Sequence, residues 1–280
     1  MKTLVFSDVH LKVSPDGRAA MQAFIGFLQT IDASAVDRII ILGDLFDFWF
    51  EYRHVIFSGY FDVLRALAHL RDRGVQIHFV CGNHDLWAGR FLRDHLGFQI
   101  CAAPLYLRFG AKTVLFVHGD GLNPRDTSYR VYKRIASSRP VTALFRLLHP
   151  DWAMAIAQWV SRNSRRLLEV EDLSRGPEVE PVRAFARATI RGGDADVVVW
   201  GHCRDPLYEV YPGPRGNGLY INTGDWLYHQ SYVEWDGFEF RLLTYKSLPE
   251  RNEVPGAKTG QTVQNREEEP EQTSPMPPEE

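Results

Sequence analysis

Cysteine is scarce: the 280 residues contain three, Cys81, Cys101 and Cys203. An odd number so widely spaced offers no disulfide framework and no cysteine-based zinc site, and it suits a reducing, cytoplasmic setting. A dominant charge of one sign is also missing. Lys and Arg total 32 against 35 Asp and Glu, a net of −3, so the chain as a whole makes no electrostatic bid for nucleic acid or a membrane. No stretch approaches the roughly 18 consecutive apolar residues of a membrane-spanning helix. The opening MKTLVFSDVHL has neither a long apolar core nor a small-residue cleavage site. It is read as a strand of the fold, not as a secretory leader. No internal repeat is evident. What is present, 45% hydrophobic and 12% aromatic residues, is the composition of a globular protein.

Short apolar, β-branched runs recur: TLVF (3–6), RIIIL (38–42), IHFVC (77–81), TVLFV (113–117), VVVW (197–200) and LYIN (219–222). Segments around 18–31 and 58–73 carry apolar residues at three- and four-residue spacing, as helices do. Strand alternating with helix predicts an α/β core with buried strands. From about 229, SYVEWDGFEFRLLTY alternates polar and apolar residues, with Asp236-Gly237 marking a hairpin. Two packed sheets with helices outside are expected. The stretch 125–191 differs: it reads as helical throughout, with 13 Arg or Lys against seven Asp or Glu, a net of +6. It is expected to be a helical insertion; the plainer reading of its charge is a solvated face. Residues 247–280, with eight acids, three bases and many prolines, read as a disordered tail.

The chemistry sits at the strand ends. TLVF is followed by Ser7-Asp8-Val9-His10, RIIIL by Gly43-Asp44, and IHFVC by Gly82-Asn83-His84-Asp85. TVLFV leads to His118-Gly119-Asp120, and VVVW to Gly201-His202. In an α/β sheet the carboxyl ends of the strands share one edge, where ligands sit. Aspartate with histidine suits borderline cations such as manganese, zinc or iron. The Asp8-x-His10 spacing puts two side chains on one face of an extended segment, and Asp44 is the candidate to bridge two cations. Two cations about 3.5–4 Å apart can clamp a phosphate and draw a nucleophile from water. Taken singly, each group has a blander explanation. Asp8-x-His10 could be a capped turn, His118 or His202 a hydrogen-bonded core histidine, and Asn83 a turn residue. Five such ends together point to a metal centre. His54, His69, His78, His95 and His149 fall away from strand ends and are read as structural or surface groups. Asp47 either orients a ligand or is solvated.

The blocks DVH, GDLFD, GNHD, HGD and GH, in that order, resemble the motif set of the calcineurin-like metallophosphoesterases over roughly residues 1–245. The resemblance implies a four-layer αββα sandwich with a dinuclear centre. Asp8, His10 and Asp44 would hold one cation; Asp44, Asn83, His118 and His202 would hold the other. Manganese is the expected ion. His84, held close by Asn83 and steered by Asp85, would protonate or stabilise the leaving oxygen.

A narrower resemblance rests on GDLFDFWFEYR, HGDGLNPRDTSYRVYKR, LFRLLHPDWAMAIAQWVSRNSRR and YINTGDW. These are similar to the UDP-2,3-diacylglucosamine diphosphatases of lipid A synthesis. That likeness implies a helical cap taking the acyl chains of a lipid-linked nucleotide, and cleavage to UMP and 2,3-diacylglucosamine 1-phosphate. It implies substrate contacts from Asp126, Tyr129, Asn163, Ser164 and Arg165, and a peripheral position on the inner face of the bacterial inner membrane. Two rival readings are a phosphodiesterase or phosphatase acting on another small phosphoester, and a catalytically silent binding module. Better-known members have arginine after the asparagine of the third block; here it is His84, usual across the wider superfamily.

The second departure is Arg204, which stands where the family supplies a fourth ligand to the first cation. A guanidinium has no lone pair to give and stays charged. Water could replace that ligand, the first cation could be lost with Arg204 supplying charge, or Cys203 or Asp205 could substitute. The first is favoured because Asp8-x-His10 and Asp44 are intact. Arg204 would then grip a substrate phosphate or pair with Asp205.

Overall fold

The computed structural model describes residues 2–101, 103–121, 127–156, 158–159, 179–245 and 252–253. Twelve strands are present among them. They are β1 (Lys2–Phe6), β2 (Val36–Leu42), β3 (Gln76–Val80), β4 (Gln99–Cys101), β5 (Leu105–Phe109) and β6 (Lys112–Val117). Then come β7 (Val197–Trp200), β8 (Leu207–Gly213), β9 (Gly216–Asn222), β10 (Ser231–Trp235), β11 (Phe240–Thr244) and β12 (Asn252–Glu253). They form a seven-stranded sheet, β12-β11-β10-β1-β2-β3-β4, and a five-stranded sheet, β5-β6-β7-β9-β8.

Alternation along the strands explains how two sheets and helices share one core. In β1, Leu4 and Phe6 face one side and Val5 the other; in β2, Ile39 and Ile41 oppose Ile40 and Leu42. Val5, Ile40, Leu42 and Val80 meet Phe116, Val197, Val199 and Ile221 between the sheets. The opposite face of the first sheet packs on α1 (Arg18–Thr30) and α2 (Phe61–Asp72). Helix α1 turns Met21, Phe24, Ile25 and Leu28 inward at helical spacing, and Phe24 meets Phe6 edge-on at 5.3 Å between ring centres. Truncating so buried a ring costs about 3–5 kcal/mol.

All six expected runs form strands. Strands β4, β5 and β8, which the apolar pattern did not mark, are all sheet edges. β5 carries Arg108 and β8 carries Glu209 and Pro212; an edge strand is not buried on both faces and needs no continuous apolar run. Two boundaries are corrected. The last part of the expected insertion, the helix Val179–Gly192, buries Val182, Ala186 and Ile190 against Leu115, Val198 and Trp200 of the second sheet. It is the fourth layer of the sandwich, not cap. In the expected tail, Asn252–Glu253 pair with Leu243 and Thr244 as an edge strand.

Strands β1, β2 and β3 run parallel, as do β6 and β7. Their carboxyl ends therefore deliver five polar loops to one rim.

Candidate metal centre

The loops that leave these strands turn sharply. Asp8, His10, Asp44, His202 and Arg204 all have left-handed backbone conformations, with φ of 52°, 48°, 53°, 65° and 51°. Non-glycine residues held there cost of order 1–3 kcal/mol each and cluster at functional sites. The loops are tied to one another: Asp8 N donates to Gly43 O at 3.1 Å and His10 N to Asp44 O at 2.9 Å. Gly43, at φ 80°, lies against the His118 ring so closely that a Cβ there would overlap the imidazole.

The expected ligand side chains converge. Asp8, Asp44, His118 and His202 form one group able to offer donor atoms to a cation, and His10, Asp47 and His84 form a second. His118 Nδ1 donates to Leu42 O at 2.8 Å, which fixes Nε2 as the atom aimed inward. That Nε2 lies 3.4 Å from Asp44 Oδ2 and 3.3 Å from Asn83 Oδ1. Donors about 2.1 Å from a shared cation lie roughly 3.0–3.4 Å apart, so this half of the centre fits a divalent ion. Asp8 Oδ2 accepts the His202 N–H at 2.7 Å and the Ser7 hydroxyl, while Asp8 Oδ1 is buried without a hydrogen-bond partner. An orphaned carboxylate oxygen at 1% exposure is the kind of atom a cation satisfies.

The other half differs. His10 Nε2 is 3.6 Å from Asp8 Oδ1 and 3.8 Å from Asp44 Oδ2. Its nearest polar neighbour is not a carboxylate but Arg204, whose Nη2 stands 2.9 Å away. Arg204, expected to grip a substrate phosphate or pair with Asp205, sets one of its nitrogens against His10 from a turn in which His202 and Arg204 are both left-handed.

Charge follows burial and neighbours. Burial raises the Asp8 and Asp44 carboxyls, but the imidazoles around them outweigh it: His10 and His118 for Asp8, His118 and His84 for Asp44. Both are held below the usual carboxylate range, Asp44 well below. Burial pushes His118 down, yet Asp44, with help from Asp8 and Asp120, lifts it to about 10. His10 goes the other way: burial dominates over Asp8, and the ring is held neutral.

Three groups beside the ligands take up positions that residue types left open. Asp47 is buried, with Oδ1 4.0 Å from His10 Nδ1, so the solvated reading fails. His84 Nδ1 donates to Asp47 O at 2.8 Å. Asp85 was expected to steer His84; instead its two oxygens accept Gly82 N at 2.7 Å and Leu45 N at 2.9 Å. It staples the third loop to the second. The signal was present in GDLFD and GNHD, whose terminal aspartates lie just beyond the ligands.

The helices that follow the fourth loop reach the rim at two points. Helix α3 (Arg90–Asp94) follows the third loop, and α4 (Thr127–Ala136) and α5 (Arg139–Phe145) follow the fourth. Lys133 donates to Asp120 at 2.6 Å, and Trp87 Nε1 donates to Ala136 O at 3.0 Å. Phe145 stacks on Trp87 at 6.1 Å between ring centres. Tyr129 lies on α4; Asp126, Asn163, Ser164 and Arg165 lie outside the described residues.

A model of the calcineurin-like phosphoesterases matches residues 1–203. The chain belongs to the calcineurin-like phosphoesterase family. It is therefore a divalent-metal hydrolase of phosphoester or diphosphate bonds. Among curated relatives, the UDP-2,3-diacylglucosamine hydrolase of Porphyromonas gingivalis is 30% identical over 257 residues, covering 86% of this chain and 97% of that protein. The enzyme of the same name from Aeromonas salmonicida is 30% identical over 259 residues, covering 90% and 96%. That from Neisseria gonorrhoeae is 29% identical over 241 residues, covering 84% and 95%. Among solved structures, a dimetal phosphatase from Danio rerio aligns at 11% identity with a TM-score of 0.40, covering 87% of this chain and 94% of that one.

Proposed function

We infer that this phosphoesterase hydrolyses the diphosphate of UDP-2,3-diacylglucosamine, with manganese as its ion. One observation carries the reading: a cap rich in exposed apolar side chains is bolted to the rim of a phosphoesterase centre. Val131, Ile135, Leu144, Leu147 and Trp152 are all more than half exposed on the segment that Lys133 and Trp87 anchor there. A soluble nucleotide gives such side chains nothing to cover, whereas acyl chains do. Relatives named for this substrate align along nearly their whole length.

Asp44, Asn83, His118 and His202 are the residues proposed to hold the cation. It supplies a nucleophile from water at neutral pH and neutralises charge on the phosphoryl oxygens. His84, with Nδ1 tied to the Asp47 carbonyl, has Nε2 left to protonate the leaving oxygen. Asn83 carries His84 into place as its chain neighbour. Asp126, Tyr129, Asn163, Ser164 and Arg165 are proposed substrate contacts from the cap. Attack at the α-phosphorus forms one bond from water and breaks the bond to the bridging oxygen, giving UMP and 2,3-diacylglucosamine 1-phosphate. No helix among the described residues is long and apolar enough to cross a membrane. We place the protein in the cytoplasm, with the cap's exposed apolar and basic residues against anionic lipid of the inner membrane.

The test is release of UMP from UDP-2,3-diacylglucosamine with Mn²⁺, set beside hydrolysis of 2′,3′-cyclic nucleotides. Preference for the lipid substrate is expected, and His84→Ala should lower turnover about 100-fold or more at unchanged metal content. Preference for the cyclic nucleotides would replace this substrate. Hydrolysis of neither, with no metal bound, would leave a silent binding module.

A further inference from the structure

We propose that Arg204 stands in for one of the two cations, so that this chain binds a single divalent ion, at Asp44, Asn83, His118 and His202. The proposal rests on the ligand assignment above. A cation at the His10 end would need the lone pair on His10 Nε2. That lone pair is already taken: a guanidinium only donates, so at 2.9 Å from Arg204 Nη2 the imidazole nitrogen must be the acceptor. One lone pair cannot serve both partners. The proton then belongs on Nδ1, the atom that faces Asp47.

Around His118 Nε2 the neighbouring oxygens stand at 3.3 and 3.4 Å with no cationic side chain between them. Around His10 Nε2 the carboxylates stand at 3.6 and 3.8 Å, and Arg204 Nη2 is nearer than either. The arginine comes no closer by accident of a loose loop. It follows His202 in a turn where both residues are left-handed and where Cys203 N closes on Gly201 O at 2.7 Å. That strained turn delivers one ligand, His202, to the cation, and one positive charge, Arg204, to the place beside it. The guanidinium thereby sets its positive charge against His10, whose ring lies beside the buried carboxylates of Asp8 and Asp44. With five N–H donors, Arg204 has others left for a phosphoryl oxygen.

The decisive measurement is manganese content after dialysis against excess Mn²⁺, by elemental analysis and by electron paramagnetic resonance. One ion per wild-type chain is expected, with the six-line spectrum of an isolated Mn²⁺. Arg204→His should raise the content to two and add the broadened pattern of a coupled pair. His10→Asn should leave the content at one, because His10 is not a ligand here. Two ions in the wild type, or loss of the bound ion in a folded His10→Asn chain, would overturn the proposal while leaving the hydrolase reading intact. No bound ion in the wild type would overturn this proposal and the ligand assignment together.

Discussion

Gly82→Ala isolates the packing that holds the Asp44 carboxylate. Gly82 has an ordinary φ, so alanine meets no backbone strain; the obstacle is space. A Cβ there would overlap Asp44 Oδ1 and lie 2.7 Å from Asp44 N and 2.9 Å from its Cγ. The Asp44 backbone cannot retreat, since its carbonyl accepts His10 N at 2.9 Å and the neighbouring Gly43 carbonyl accepts Asp8 N. The carboxylate must swing away by on the order of 1 Å to reach ordinary contact. That movement breaks the bond that Oδ1 accepts from His84 N at 2.9 Å. Losing a hydrogen bond to a charged group costs about 1.5–3 kcal/mol, and overpacking costs about 1–3 more. At roughly 2–4 °C per kcal/mol for a chain of this size, the melting temperature should fall by roughly 5–24 °C. Asp44 Oδ2 would leave its place beside His118, so Mn²⁺ affinity should drop about 10- to 100-fold. Calorimetry reads both effects. The control is Gly26→Ala in α1, where a Cβ meets only Tyr245 Oη at 3.5 Å; it should stabilise by about 0.5–1 kcal/mol. Melting and Mn²⁺ affinity indistinguishable from wild type in Gly82→Ala would refute the claim that close backbone approach fixes the Asp44 carboxylate.

Three further outcomes follow from the same contacts. Asp85→Ala leaves the Gly82 and Leu45 N–H groups buried without partners, at about 1–3 kcal/mol each, so chemical denaturation should show a loss of roughly 2–6 kcal/mol. His118, raised to about 10 in the metal-free fold, adds stability that is full below the unfolded value near 6.5 and fades as pH rises through about 10. A cation must displace its proton, so proton release on Mn²⁺ binding near neutral pH should be seen by calorimetry in two buffers of different ionisation heat, and absent in His118→Gln. Lys133→Met cuts the ion pair that anchors α4 to Asp120; it should raise KM for the lipid substrate with little change in kcat, and equal KM values would place the cap contact outside substrate binding.

What the sequence discloses depends on how many constraints a residue satisfies at once. β1, β2, β3, β6 and β7 are buried on both faces and read as unbroken apolar runs, so the loops behind them could be located and their Asp and His residues assembled into one centre. β4, β5 and β8 lie at edges, where polar residues are permitted, and the period that marks a central strand is absent. The helix Val179–Gly192 was drawn into the cap because its basic residues were counted with their neighbours. Its apolar face, Val182, Ala186 and Ile190, is what binds it to the second sheet.

Arg204 marks the limit most clearly. Its type alone excludes ligation, because no pH in the working range gives a guanidinium a lone pair. Where such a side chain goes is set by the backbone, and left-handed φ at two consecutive alternate positions, His202 and Arg204, is not written in GHCRD: neither residue is the glycine or asparagine that announces that conformation. From residue types, the intact Asp8-x-His10 favoured three ligands around a first cation with Arg204 released, over loss of that cation with Arg204 supplying the charge. Only the direction of one side chain separates them. Once the guanidinium is set against His10 Nε2, the same residue that removes a ligand also supplies positive charge beside the buried carboxylates, which links its presence to the strain of the turn that holds it.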